Sequence, residues 1–368
     1  MNKKGRAVLD LPTGKDNPRN SEGAFIDLRD GRIMFIYSQF IADSSRDTAP
    51  AGLAVIYSSD LGETWSEPKQ ILSPVDDNNA MNIMSVSLLR MQDDSIGLIY
   101  GVRHGFLDTR VRLRRSYDEG QTWGEATICI PAVGYYVTNN DRVVRLSCGR
   151  IIVPGGYHRC RSEADKDEQA FDSRSTTYYF YSDDDGKSWK ESTPCYMPTV
   201  NSASGLQEPG LIELKNGVLW GFARTDLGRH YEMFSFDRGE TWTVPQASRF
   251  TGPSSPLSMK RDPRNGNLIA VWNPIPQYLG QERFPGQEHF PEWAGGRTPQ
   301  VTSVSADDGK TWSEPLILDD DPRSSYVYTA IHFVGDDMLL AYCAGDVGDG
   351  GNGLSRLRIR KLPIPTPN

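Results

Sequence analysis

Only five cysteines occur in 368 residues, at positions 129, 148, 160, 195 and 343. They are odd in number, widely spaced and form no C-x-x-C pair. The sequence therefore lacks both a disulfide framework and a zinc-site spacing, and free thiols in a reducing compartment are expected. No run is long and apolar enough to cross a membrane as a helix. The opening MNKKGRAVLDLPTGKDNPRN has basic residues but no apolar segment behind them, so it does not read as a secretory signal. As it stands the chain is expected in the cytoplasm, or in the periplasm or outside the cell if a leader has been removed. Basic charge is short as well: 40 Lys and Arg stand against 48 Asp and Glu, a formal net charge of −8. That argues against a nucleic-acid partner, which would need a basic face. A few clustered arginines can still build a local anion site in an acidic protein.

What the sequence does have is turns and a repeat. Its 35 glycines and 24 prolines are spread evenly, and 38% hydrophobic residues are enough for a sizeable core. One pattern, S-x-D-x-G-x-[TS]-W, recurs as SSDLGETW, SYDEGQTW, SDDDGKSW, SFDRGETW and SADDGKTW. The tryptophans, Trp65, Trp123, Trp189, Trp242 and Trp312, are spaced by 58, 66, 53 and 70 residues, longer than a solenoid unit and suited to a propeller blade with insertions. In each box the Asp can accept hydrogen bonds from the turn's own N–H groups, the Gly supplies φ > 0 and the Trp anchors the hairpin. SDDDGK hints at a calcium loop, but five copies spread around a ring cannot converge on one site, and no EF-hand Glu follows. The boxes read as scaffold.

A second series fixes the count. Six strand–turn–strand units precede or follow the boxes, from AFIDLRDGRIMFIY to YTAIHFVGDDMLLAYCAG, with Asp30-Gly31, Asn216-Gly217 and Asn265-Gly266 as hairpin turns. The last unit is followed by one clear strand, LSRLRIRKL, so a strand near Arg6–Leu11 is expected to supply its missing partner and cover the edge. The fold expected is all-β: a six-bladed β-propeller of four-stranded antiparallel blades, closed by an N-terminal strand, as a single domain over residues 1–368.

The boxes and hairpins together resemble the sialidase (neuraminidase) superfamily, whose repeats are called Asp boxes, over nearly the whole chain. The resemblance implies three arginines that clamp a substrate carboxylate, a Tyr–Glu nucleophile pair and an Asp acid/base. On the matching positions these are Arg19 in NPRNSEG, Arg224 in GVLWGFART and Arg297 in GGRTPQ; Tyr328 in YTAI, with Tyr326 as fallback on the same strand face; Glu208 in QEPGLIEL; and Asp47 in FIADSSRDTAP, with Asp43 as competitor. Arg19 lacks the Ile-Pro that follows the family's first arginine, and Glu22 three residues later is a departure without a family counterpart. Trp293 or Phe290 in the aromatic segment before Arg297 could stack on a sugar face. In HRCRSEADKDEQAFDSR, His158 and Arg159 are minor candidates beside a solvated insertion. His104 has no evident partner, and Glu213 reads as a turn-proximal charge.

The chemistry suits these residue types. Arginine's planar fork binds a carboxylate in bidentate fashion and stays charged. A carbon that already bears a carboxylate repels an anionic nucleophile, and a neutral tyrosine avoids that repulsion. Ordinary pKa values near 10 for Tyr and 4.3 for Glu make full proton transfer cost roughly 8 kcal/mol, so nearby arginines are expected to favour the phenolate and the transfer to be concerted with attack. The implied activity is release of a terminal sialic acid with retention through a tyrosyl-glycosyl intermediate, without metal or cofactor, on a glycan or sialoside. The alternatives are hydrolysis of another acidic sugar such as Kdo or Kdn, and a carbohydrate-binding propeller without turnover. Oligomeric state is left open.

Overall fold

In the computed structural model the protein is described over residues 4–41, 43–162, 170–197, 202–275, 296–349 and 353–367. These residues are almost entirely strand and turn, with one 3-10 turn at Pro74–Asp77. No helix among them is long and apolar enough to cross a membrane.

The chain begins with β1 (Arg6–Leu11) and then folds as successive antiparallel groups. The first group is β2 (Asn20–Asp27), β3 (Ile33–Phe40), β4 (Ala51–Ser58) and β5 (Lys69–Leu72). The second is β6 (Asn82–Arg90), β7 (Ile96–Arg103), β8 (Thr109–Ser116) and β9 (Thr127–Ile128). The third is β10 (Tyr135–Val137), β11 (Val144–Arg145), β12 (Ile151–Cys160), β13 (Phe171–Ser182) and β14 (Lys190–Glu191). The fourth is β15 (Gln207–Glu213), β16 (Leu219–Arg224), β17 (Arg229–Ser235) and β18 (Gln246–Thr251). The fifth is β19 (Ser258–Arg261), β20 (Leu268–Trp272), β21 (Gln300–Ser305) and β22 (Leu316–Asp319). The sixth is β23 (Ser324–Val334), β24 (Asp337–Asp346) and β25 (Leu357–Pro363), and β1 pairs antiparallel with β25 as its fourth strand.

The strand expected at Arg6–Leu11 is thus present and covers the edge of β25. Six separate sheets are not. Hydrogen bonding defines five, because Tyr135 of β10 pairs with Thr109 of β8 and joins the second and third groups into one nine-stranded sheet. The third group is also broken on its first strand. The strand, turn and strand expected through DRVVRLSCGRIIVPGGY are present as β11 and β12, but the first strand is only Val144–Arg145, and the chain is irregular between β10 and β11, where Asp141 takes φ +53.

Packing follows from the strand alternation, which leaves two apolar faces on each group. Ile36 and Val55 of the first group meet Ile83 and Leu98 of the second; Leu113 of the second meets Ile151 and Phe180 of the third. Tyr179 of the third joins Leu219 and Met233 of the fourth, and Trp220 and Phe222 of the fourth meet Leu268 and Ala270 of the fifth. Ile269 and Val304 of the fifth meet Met338 and Leu340 of the sixth, and Leu339 and Ile359 of the sixth meet Phe35 and Ile56 of the first.

The five boxes form the turns expected of them. In the first, Ser58 Oγ donates to Asp60 Oδ1 (2.8 Å) and accepts from Gly62 N (2.8 Å), while Asp60 accepts from Thr64 N (2.9 Å). Asp118, Asp184, Asp237 and Asp307 repeat the pattern. The glycine of each box lies against the preceding group: Gly120 on Met34, Gly186 on Leu113, Gly239 on Ile152 and Gly309 on Trp220, with Gly62 on Leu339 of the last. All five cysteines are unpaired thiols.

Candidate functional site

One device places the site. The first strands of the first, second, fourth and sixth groups each carry a register shift near their start: between Ser21 and Ala24, Met84 and Ser87, Gln207 and Gly210, and Val327 and Ala330. Inside each shift one non-glycine residue has positive φ: Glu22 at 52°, Ser85 at 62°, Glu208 at 47° and Tyr328 at 63°. Bulges re-aim side chains, and left-handed backbone in residues of this size costs of order 1–2 kcal/mol each. All four side chains line one cavity of about 240 Å³.

The bulge also separates the two tyrosine candidates. Alternation alone would give Tyr326 and Tyr328 the same face. Tyr326 instead packs in the core against Tyr342, and Tyr328 turns into the cavity. Its Oη donates to Glu208 Oε1 at 3.0 Å, across 120 residues of sequence. Arg224 Nη1 lies 3.1 Å from Glu208 Oε2 and 3.5 Å from Tyr328 Oη, and its Nε and Nη2 are held by Gln207 Oε1 at 3.0 and 2.7 Å. The Arg297 guanidinium stands 5.9 Å from the centre of the Tyr328 ring and donates to Ser254 O at 2.9 Å. Both arginines line the cavity.

Burial first, then the Glu208 charge, pushes the Tyr328 hydroxyl well above the ordinary tyrosine range; Arg224 and Arg297 pull the other way without prevailing. The two arginines thus act in the expected direction, favouring the phenolate, but burial outweighs them in the resting site. Dry surroundings disfavour the charged form more than two neighbouring cations, already paired or hydrogen-bonded, can offset.

Arg19 departs further from expectation. It is buried, 1% exposed, beneath the cavity wall and does not line it. Its guanidinium donates to Ser21 Oγ (3.0 Å), Ser45 O (3.2 Å), Glu22 Oε1 (2.9 Å) and Asp47 Oδ1 (2.5 Å), and stacks over Phe40. The ligands of this arginine are thus the protein's own carboxylates. Asp47 does line the cavity, with its side chain 61% exposed. The surface it exposes faces the cavity, where desolvation by the surrounding walls works to raise its carboxyl, but Arg19, Arg103 and Arg224 together hold it below the usual range. Asp43 is exposed and does not line the cavity. Trp293 and Phe290 lie outside the described residues.

Several cavity residues escaped the sequence reading. Arg103 ends β7 opposite Asn82, as Arg224 ends β16 opposite Gln207. Superposing YGVR on GFAR in the two hairpins would have found it. Its Nη2 donates to Tyr135 Oη at 2.7 Å, while its buried Nε and Nη1 have no hydrogen-bond partner among the described residues. Tyr135, Phe171 and His158 form an aromatic wall beside it, with ring centres 4.9 to 6.0 Å apart. His158 lies against Asp172 O through Nδ1 at 3.0 Å, and burial lowers its pKa to about 4. Arg159, the other minor candidate, is exposed and not in the wall. His104 finds Arg112 at 3.0 Å, and Glu213 holds the turn at Ser147.

A second polar set ties the strand groups together next to the cavity. Asn140 Nδ2 donates to Gly23 O (2.8 Å) and Tyr328 O (3.2 Å). Asp141 accepts from Lys260 Nζ (2.9 Å) and Ile331 N (3.0 Å). These bonds join the first, third, fifth and sixth groups beside Tyr328.

No curated protein matches the chain by sequence. Solved structures resemble it throughout. A protein of unknown function from Dyadobacter fermentans superposes with a TM-score of 0.71 at 17% identity, covering 98% of this chain and 100% of that one. A sialidase from Streptococcus pneumoniae superposes at 0.70 with 14% identity, over 99% of this chain and 71% of that one. The leech intramolecular trans-sialidase, solved with 2,7-anhydro-Neu5Ac, superposes at 0.70 with 15% identity, over 98% and 70%. At such identities the likeness is one of fold. The BNR repeat-like domain matches residues 42–340, most of the chain. The chain belongs to the BNR repeat-like domain family, and its fold is that of the sialidases.

Proposed function

We propose that this protein is a sialidase-like exo-glycoside hydrolase that releases a terminal sialic acid, or a related ulosonic acid, from a glycan. The observation that carries the reading is the Tyr328 Oη to Glu208 Oε1 hydrogen bond at 3.0 Å, flanked by Arg224 and Arg297. The six strand groups are read as the blades of one six-bladed β-propeller over residues 1–368. That reading is supported by the cyclic packing, in which the first group meets the sixth as it meets the second.

In the first half-reaction Tyr328 Oη attacks the anomeric carbon as its proton passes to Glu208, and the bond to the leaving oxygen breaks. Because the resting hydroxyl lies above its ordinary range, transfer must accompany attack rather than precede it. Asp47, once protonated and released from Arg19, supplies the leaving oxygen's proton. In the second half Asp47 takes a proton from water, whose oxygen attacks the anomeric carbon; the bond from that carbon to Tyr328 Oη breaks, and Glu208 returns its proton to the tyrosine. Arg224 and Arg297 hold the substrate carboxylate, and Arg103 reaches a polar group further round the ring.

The test is Tyr328→Phe assayed with a fluorogenic sialoside. Loss of at least about a thousandfold in kcat/KM is expected, since the attacking oxygen is gone; turnover close to wild type would remove the assignment. A second reading, a carbohydrate-binding propeller without turnover, is favoured by one observation: Arg19 keeps Asp47 ionised, where an acid needs a proton. Glycan binding without hydrolysis by the wild type would establish it.

A further inference from the structure

Glu22 is used by none of the steps above, yet it is one of the four residues that a bulge turns into the cavity. Its carboxylate is 5% exposed; Oε1 accepts from Arg19 Nη2 at 2.9 Å and Oε2 from Ser85 Oγ. The groups facing it are Arg19 on its own strand, Asp47 after β3, Ser85 on β6, Glu208 on β15, Tyr328 on β23 and Cys343 on β24. Burial raises its carboxyl, with Asp47 and Glu208 adding to that, while the Arg19 guanidinium and the Ser85 hydroxyl, both donors to it, favour the charged form; the group faces the cavity from a place where a bound acid would otherwise reach Arg19.

We infer that Glu22 is a specificity-determining residue: it occupies Arg19 in place of a substrate carboxylate, so that the ligand's acid is held by Arg224 and Arg297 alone. The inference rests on the reading of the cavity as an acidic-sugar site. Three features carry it. Arg19 is sealed from the cavity while Glu22 lines it. Both Glu22 oxygens are held by fixed donors, which pins the charge in place. The left-handed backbone at Glu22 is retained at a cost that a glycine would avoid. A charge a few ångströms from a ligand carboxylate in a desolvated site opposes it strongly. The site is thus tuned for a modest preference for an acid over its neutral form, and it disfavours a second negative group on that side of the ring.

The test compares binding of N-acetylneuraminic acid and its methyl ester by calorimetry. For the wild type a preference for the acid below about thirtyfold is expected, as for two arginines opposed by one carboxylate. Glu22→Gln should strengthen binding of the acid about tenfold or more and leave the ester unchanged, while Glu22→Asp, which keeps the charge, should behave as wild type. Glu22→Ser replaces the glutamine variant if that one does not fold, and the wild-type preference decides if neither does. Weaker or unchanged acid binding in folded Glu22→Gln would overturn the inference and leave Glu22 as a support for Arg19. So would a wild-type preference above thirtyfold. If neither ligand binds any of these proteins, the acidic-sugar reading fails and takes the inference with it.

Discussion

At the residue scale the carboxylates that line the cavity are each already paired with an arginine. Arg224 pairs with Glu208, and Arg19 with both Glu22 and Asp47. In the proposed mechanism, replacing Glu208 by Gln keeps the shape but removes the base for Tyr328. A fall in kcat of about a hundredfold or more, with KM little changed, is expected in steady-state assays with the fluorogenic sialoside. Two buried histidines make the fold sensitive to mild acid. Burial lowers His158 to about 4 and His230 to about 3, against an ordinary 6.5. Below pH 6.5 the unfolded chain binds these protons and the folded chain does not, so stability falls as pH falls through that window. Each group contributes at most about 1.4 kcal/mol per pH unit. Thermal unfolding between pH 7 and 4.5 should show a falling Tm, and a flat profile would contradict the assignment.

At the element scale the Asp box is a self-contained turn. Its carboxylates accept from side-chain hydroxyls and backbone N–H groups, which lowers Asp60 and Asp307 to about 2. Their contribution is therefore present above the ordinary carboxylate pKa and is lost only as pH falls through about 2, so the boxes outlast the histidine effect. The strands between the boxes tolerate little extra volume. A Cβ on Gly221 would lie 2.3 Å from Tyr179 Oη and 2.8 Å from the Trp242 ring. Gly221→Ala should destabilise by about 1–3 kcal/mol in urea unfolding. Wild-type stability would mean that Trp242 moves freely. The bulges were not legible in the sequence. Glu22, Ser85 and Tyr328 are ordinary residues for an extended strand, and only the pairing of each first strand with its neighbour reveals the extra residue.

At the scale of the whole molecule, the ends of the chain meet. Arg6–Leu11 covers the edge of β25, and Leu11 enters the cluster between the sixth and first groups. Removing residues 1–11 should lower Tm by at least about 5 °C and promote association through the bared edge, as seen by calorimetry and light scattering. An unchanged Tm would mean that the sixth group stands on three strands. The strand groups are also tied together by Asp141 with Lys260 and the Ile331 N–H.

The sequence by itself determined the all-β class, the box turns and the pairing of the terminal strands. These rest on local chemistry: hairpin turns, alternation, and Ser and Asp hydroxyl–carboxylate–amide bonding within eight residues. It also placed Tyr328 and Glu208 together, because the family resemblance carries positions that distance in sequence hides. The tertiary structure alone decided what faces the cavity. It sealed Arg19 under Glu22 and Asp47, brought in Arg103 and the His158 wall, and sent Tyr326 to the core. The reason is geometric: a one-residue bulge reverses which side chain points inward, and whether an arginine is open to a ligand depends on which carboxylates fold against it.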